Sequence, residues 1–180
     1  MDIANANMDI PSRCRRIQMI LSDVDGVMTD GRLIYNNDGI ETKRFHVRDG
    51  QGISLWRKAG YPFGLITLRD SHIVQKRARE LNLEIVHQGA KDKAASMREI
   101  LQEQKVEPDQ VCYIGDDLPD VGAVRLAGLG VAVADACPEL RNAANYVTQL
   151  PGGSGAVREI VELILKAQDR WDELIAPFLD

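Results

Sequence analysis

Short apolar runs bounded by polar or glycine residues recur along the chain at Ile17–Leu21, Pro62–Thr67, Glu84–His87, Val111–Ile114, Gly130–Ala134 and Tyr146–Thr148. Each has the length and composition of a buried strand. Between them, helical patterning covers 49–59, 71–82, 92–104, 119–127, 138–144 and 155–169, the last with an apolar stripe of Val157, Ile160, Val161, Ile164 and Leu165. Strand and helix alternate, which predicts an α/β fold with a doubly wound, mostly parallel sheet and helices on both faces. One segment breaks the rhythm. Residues 31–47, GRLIYNNDGIETKRFHV, carry two alternating runs around Asn37-Asp38-Gly39, the signature of a β-hairpin inserted after the first strand. The glycine-rich stretch 150–159, LPGGSGAVRE, reads as a shaped loop rather than a linker.

The length of 180 residues fits one domain, here residues 17–169, with a polar N-terminal arm at 1–16 and a C-terminal tail at 170–180. The arm lacks the apolar core of a secretory signal and reads as a loose leader. In the tail, Trp171, Leu174, Ile175 and Phe178 form either an apolar stripe on the core or a segment reaching a neighbour's site. No run approaches the ~20 apolar residues of a membrane span, so no membrane partner is expected. A net charge of -5 argues against nucleic acid. Cys14, Cys112 and Cys137 are odd in number and far apart, which fits a reducing cytoplasm better than a disulfide framework or a zinc site.

In an open α/β sheet, ligands collect at the carboxyl ends of the strands. The first strand delivers Asp23 and Asp25 there, the second Thr67, the third leads to Lys93, and the fourth ends in Asp116-Asp117 with Asp120 nearby. Several carboxylates share a small site in ionised form only around a cation, and an all-oxygen set suits Mg²⁺. A carboxylate can also attack phosphorus, splitting one displacement into two through an aspartyl-phosphate. Asp23 is the candidate nucleophile, and Asp25 the acid that protonates the leaving oxygen and then the base toward water. Thr67 and Lys93 supply a hydrogen bond and a positive charge to the transferring phosphoryl group. Singly, each residue has a commoner structural explanation, such as a helix cap or turn; the ordered set is what is specific. Asp30, beside Gly31, fits a turn role at the start of the hairpin.

This ordered set resembles the haloacid dehalogenase superfamily of phosphotransferases, with Asp23-Val24-Asp25-Gly26-Val27 as its first motif, Thr67 its second, Lys93 its third and Asp116-Asp117 its fourth. The resemblance implies a metal held by the Asp23 carboxylate, the Asp25 backbone carbonyl and Asp116. Asp117 and Asp120 would be supporting acids that orient Lys93 or the metal's waters. The stretches DVDGVMTDGRLIY, FHVRDGQGI, HQGAKDKAASM, YIGDDL, GVAVADACPELRNAANYVT and GGSGAVREIVELILKAQ are similar to a capless, tetrameric group of that superfamily over residues 17–169. Its members hydrolyse 3-deoxy-D-manno-octulosonate 8-phosphate in the synthesis of a lipopolysaccharide precursor. In that group the hairpins of the subunits form a central barrel and a neighbour helps to close each site. The resemblance carries substrate contact to Asp25, His46, Val47, Arg48, Asp49, Gly50, Arg69, Arg77 and Lys93. Arginines suit a sugar acid with a phosphate at one end and a carboxylate at the other.

The chain departs from the group at Leu68, where T-G-R is usual and Thr67-Leu68-Arg69 stands, which puts the local backbone in question. Pro119, Ser54 and Cys137 are lesser departures. Three rivals compete with the eight-carbon substrate. Phosphatases of nine-carbon, sialic-type sugar acid 9-phosphates carry glutamate at the position of Arg69. Signalling receiver domains place the phosphate-accepting aspartate on a different strand relative to Thr and Lys. A non-catalytic oligomerisation module derived from this fold is the third.

Overall fold

The computed structural model describes residues 8–179. Its sheet has six strands in the order β5-β4-β1-β6-β7-β8, all pairs parallel. These are β1 (Met19–Ser22), β4 (Phe63–Ile66), β5 (Ile85–His87), β6 (Val111–Gly115), β7 (Leu129–Ala132) and β8 (Tyr146–Val147). Every residue of β1, β4, β6 and β7 is buried, as expected of parallel strands covered on both faces. From β1 the chain winds one way through β4 to β5, then returns to β6 and winds the other way. The reversal lies between the adjacent strands β1 and β6, and a crevice opens there at their carboxyl ends.

The helices form two groups. In the first, α1 (Ile10–Arg16) and α2 (Val47–Lys58) both pack on α7 (Ala156–Ala167), whose predicted stripe from Val157 to Leu165 is wholly inaccessible. In the second, α4 (Lys93–Gln104) packs on α5 (Val121–Leu126), which packs on α6 (Pro138–Ala143). The remaining helices are α3 (His72–Glu80), after β4, and α8 (Trp171–Ile175), near the end of the chain.

The loose leader expected at the start of the chain is helical from Ile10 to Arg16; residues 1–7 lie outside the described residues. Asp9 caps α1 by accepting from the Ser12 N–H at 2.8 Å, and Pro11 sits in its first turn. Cys14 is fully buried, and the Arg13 guanidinium donates to the Gly128 carbonyl at 2.5 Å. Ile17, expected to open the first strand, follows α1 as its C-cap, so β1 begins at Met19. At the other end, Trp171 and Leu174 are buried, with the Arg158 guanidinium 4.9 Å from the Trp171 ring centre, whereas Phe178 is exposed. The apolar stripe of the tail thus packs on the core as far as Ile175.

The hairpin is present but short. Its strands β2 (Ile34–Tyr35) and β3 (Glu41–Thr42) pair antiparallel, with Ile34 opposite Thr42 and Tyr35 opposite Glu41. Asn36 builds the turn: its side-chain oxygen accepts from the N–H groups of Asp38 at 3.0 Å and Ile40 at 2.8 Å, and Gly39 takes φ +76°. Asp30 has the expected turn role, accepting from the Arg32 N–H at 3.4 Å. A ladder this short is marginal alone, and side-chain contacts to the crevice hold it in place.

Candidate active site

The site residues are extensions of the strand ladder. Asp23 follows β1 directly, and its N–H donates to the Ile114 carbonyl at 2.9 Å; Thr67 follows β4, and its N–H donates to the His87 carbonyl at 2.9 Å. Backbone bonds therefore fix both side chains at the crevice. Gly26 turns the chain away with φ +97°, and a Cβ there would lie 2.1 Å from Asp116 Oδ2, so the first motif requires glycine to let the two loops meet.

Lys93 stands in the first turn of α4, buried, with its ammonium 2.9 Å from Asp23 Oδ1 and 2.6 Å from Asp120 Oδ1. Asp120 is completely buried and saturated. Its Oδ1 also accepts from the Tyr113 hydroxyl at 2.7 Å, and its Oδ2 accepts from the N–H groups of Asp116 at 3.1 Å and Asp117 at 3.3 Å. Asp120 thus anchors Lys93 and shapes the fourth-motif loop. Asp117 is exposed at the rim of the cleft. Burial works against the Lys93 ammonium, but the charges of Asp23 and Asp120 outweigh it and raise its pKa.

Carboxylate oxygens of Asp23, Asp116 and Asp120 lie within 4.8 Å of one another. Burial and the charge of Asp120 push Asp23 up to about 6 against the pull of Lys93. Burial and the charges of Asp23 and Asp120 push Asp116 up to about 8. Two acids that resist ionising side by side are suited to a hard divalent cation, which takes the place of the retained protons. With Asp120 saturated, Asp23 and Asp116 are the side chains that fit that ion.

The same shifts set a pH dependence. Both folded-state pKa values stand above the ordinary carboxylate value, so without metal the native state holds protons that the unfolded chain releases. Stability therefore falls as pH rises from about 4 to about 8. Melting curves without metal are expected to follow that fall, and the rise in Tm on adding Mg²⁺ is expected to grow over the same range. Asp116→Asn should flatten the fall and remove most of the Mg²⁺ effect.

The cleft has a volume of about 140 Å³ and is lined by Asp23, Asp25, Thr67, Leu68, Arg69, Lys93, Asp116, Asp117, Pro119 and Asp120. Leu68 is exposed at its edge. Asn82, Lys105 and Asp169 are the non-glycine residues with positive φ among the described residues, so the Leu68 backbone does not use the freedom glycine would give.

Other expected substrate contacts gather elsewhere, around the first turn of α2. His46 caps that helix, its Nδ1 accepting from the Arg48 N–H at 3.3 Å, while Val47 and Arg48 are exposed. Gly50 lies against Arg77, whose guanidinium covers the Phe45 ring at 5.6 Å and bonds Glu80 at 3.2 Å. None of these lines the cleft of its own chain. The Asp49 side chain, expected to meet substrate, is buried and caps α7 instead. It accepts from the N–H groups of Arg158 at 2.9 Å and Gly155 at 3.3 Å, at a helix whose own N-cap is a glycine with φ +110°. An orphan helix end needs an acceptor, and a carboxylate supplies one.

Lys43, Glu41 and Tyr113 also join the site, with no role expected for them from the sequence. Lys43 bonds Asp25 Oδ1 and lies 3.4 Å from Glu41; Glu41 in turn accepts from Arg69 at 2.7 Å. Arg69 also donates to the Tyr35 hydroxyl at 3.1 Å, so the hairpin is tied to the cleft from both strands. A tyrosine in the wholly buried β6 was a detectable signal, because its hydroxyl requires a partner. Nothing local marked Lys43, which stands between exposed neighbours in a charged run.

A family model of the haloacid dehalogenase-like hydrolases matches residues 57–160. The chain is 44% identical over 164 residues to the 3-deoxy-D-manno-octulosonate 8-phosphate phosphatase KdsC of Yersinia pestis, covering 91% of this chain and 88% of that protein. Among solved structures, the 3-deoxy-D-manno-octulosonate 8-phosphate phosphatase of Moraxella catarrhalis, in complex with magnesium ion, phosphate ion and KDO, superposes with a TM-score of 0.92 at 43% identity. The match covers 94% of this chain and 97% of that one. The cobalt-bound deoxy-D-mannose-octulosonate 8-phosphate phosphatase of Haemophilus influenzae superposes with a TM-score of 0.85 at 37% identity, covering 87% and 92% of the two chains. The chain belongs to the haloacid dehalogenase-like hydrolase family.

Proposed function

We propose that the chain is a Mg²⁺-dependent phosphatase that hydrolyses 3-deoxy-D-manno-octulosonate 8-phosphate to the free sugar acid and phosphate, supplying a lipopolysaccharide precursor. The observation that carries this reading is Asp23, buried at the end of β1 between the Lys93 ammonium at 2.9 Å and the Asp116 carboxylate. Relatives of that named activity, 39–44% identical over nine-tenths of the chain, support the substrate.

Asp23 attacks phosphorus through a carboxylate oxygen while the bond to the sugar oxygen breaks, and Asp25 gives that oxygen its proton. Water then attacks the Asp23 phosphoryl group, losing its proton to Asp25, and phosphate leaves. Lys93 and the Thr67 hydroxyl bind the equatorial oxygens through both displacements. The Asp23 and Asp116 carboxylates and the Asp25 backbone carbonyl would hold Mg²⁺, which would offset their repulsion and supply positive charge beside the phosphoryl oxygens.

The active species in this reading is a homotetramer in the cytoplasm. Leu33, Ile34, Tyr35 and Ile40 on the hairpin and Val47 at the start of α2 are exposed, an apolar surface that subunit contact would cover. In such an assembly His46, Val47, Arg48, Gly50 and Arg77, remote from their own cleft, would face a neighbour's substrate. The free cysteines support a reducing compartment. No helix among the described residues is long and apolar enough to cross a membrane.

Arg69 stands where phosphatases of nine-carbon sugar acid 9-phosphates carry glutamate, which favours the eight-carbon acid. Phosphate release from the two sugar phosphates, measured side by side with Mg²⁺, is expected to give the higher kcat/KM for the eight-carbon compound. A preference for the nine-carbon one contradicts the assignment.

A further inference from the structure

We infer that Lys43 is a positioning residue of the acid–base step: its ion pair holds the Asp25 carboxyl group in one orientation beside Asp23 while that group serves first the leaving oxygen and then water. This rests on the phosphatase reading above.

The Lys43 side chain is 1% exposed, although it stands on an exposed hairpin just after β3. Its ammonium bonds Asp25 Oδ1 and lies 3.4 Å from Glu41 Oε1. Glu41 is itself held, by Arg69 at 2.7 Å on Oε1 and by the Ser71 hydroxyl at 3.4 Å on Oε2. The ammonium is therefore braced from a second side through the start of α3. Lys43 does not line the cleft, so it is not placed to bind the phosphoryl group itself.

Asp25 itself lines the cleft beside Asp23, and its side chain is 21% exposed, whereas its Oδ2 is buried and has no hydrogen-bond partner. The Lys43 ammonium on Oδ1 therefore sets the orientation of this carboxyl group. In the first displacement the proton passes from Asp25 to the sugar oxygen as its bond to phosphorus breaks and the Asp23 oxygen bonds to phosphorus. In the second, Asp25 takes a proton from water as the water oxygen bonds to phosphorus and the Asp23 bond breaks. Without Lys43 the carboxylate can rotate, and neither transfer keeps its geometry.

The test compares a poor leaving group with a good one. On the sugar-acid phosphate, Lys43→Gln is expected to lower kcat about 10²-fold, and Lys43→Arg to recover part of the loss. With p-nitrophenyl phosphate the leaving oxygen needs no proton, so only the second displacement slows. The expected trace from Lys43→Gln is a burst of about one p-nitrophenolate per subunit, then slow turnover. Equal loss on both substrates without a burst, or no loss on either, overturns the inference. Should Lys43→Gln fail to fold, Glu41→Gln, which loosens the same ammonium, is expected to give the burst, and its absence is equally decisive. A parent protein inactive on the sugar-acid phosphate, with the burst still produced by the variant, would reject the substrate assignment and leave the role of Lys43 standing.

Discussion

Asp23→Asn is expected to lower Mg²⁺-dependent phosphate release by on the order of 10⁴-fold or more while leaving a folded protein. An amide does not form the acyl phosphate, so the two-step route closes and only the positioning groups remain. The fold should tolerate the change for a specific reason. Asp23 is held up to about 6 by burial and by the charge of Asp120, so ionising it at neutral pH works against stability. Removing that charge still leaves Lys93 its contact with Asp120 at 2.6 Å. The metal-free variant should therefore melt at or above the parent temperature at pH 7. Substantial turnover in a folded Asp23→Asn protein would remove Asp23 from the nucleophile's role.

Lys93→Met should damage both function and fold. Loss of the positive charge facing the phosphoryl group is expected to reduce turnover about 10²–10³-fold. The same change leaves the buried Asp120 and Asp23 carboxylates without their cation, which is expected to destabilise the fold by about 3–5 kcal/mol. The two effects separate in a double variant. Adding Asp120→Asn to Lys93→Met removes one of the stranded charges, and denaturant midpoints should recover in part while turnover stays low. If restoring stability also restored turnover, Lys93 would be a structural ion-pair partner and no more.

The central site was legible because its residues sit where the topology requires them. An aspartate ending an apolar run is placed by the ladder itself, so Asp23, Thr67 and the Asp116 loop arrive at one crevice whatever the surface does. The buried parallel strands were legible for a related reason, since burial on both faces makes their apolar runs continuous. What escaped depended on long-range partners. The helix Ile10–Arg16 has under two turns, and its arginines hide an apolar side consisting of Ile10, Cys14 and the following Ile17. Asp49 stands in a stretch that resembles a substrate loop, yet its carboxylate completes a helix more than a hundred residues away. Lys43 lies in a charged hairpin, and no pattern within the hairpin says that its ammonium is buried against Asp25. Leu68 shows the converse: the departure from glycine was plain in the sequence, and the structure removes its expected conformational cost.

The most direct test of the account is phosphate release from 3-deoxy-D-manno-octulosonate 8-phosphate by the purified chain, with Mg²⁺ and after chelation. Steady turnover is expected that is lost on chelation, returns with added Mg²⁺, and leaves a phosphorylated Asp23 detectable when the reaction is quenched in acid. No release with Mg²⁺ present, or release indifferent to chelation, would contradict it.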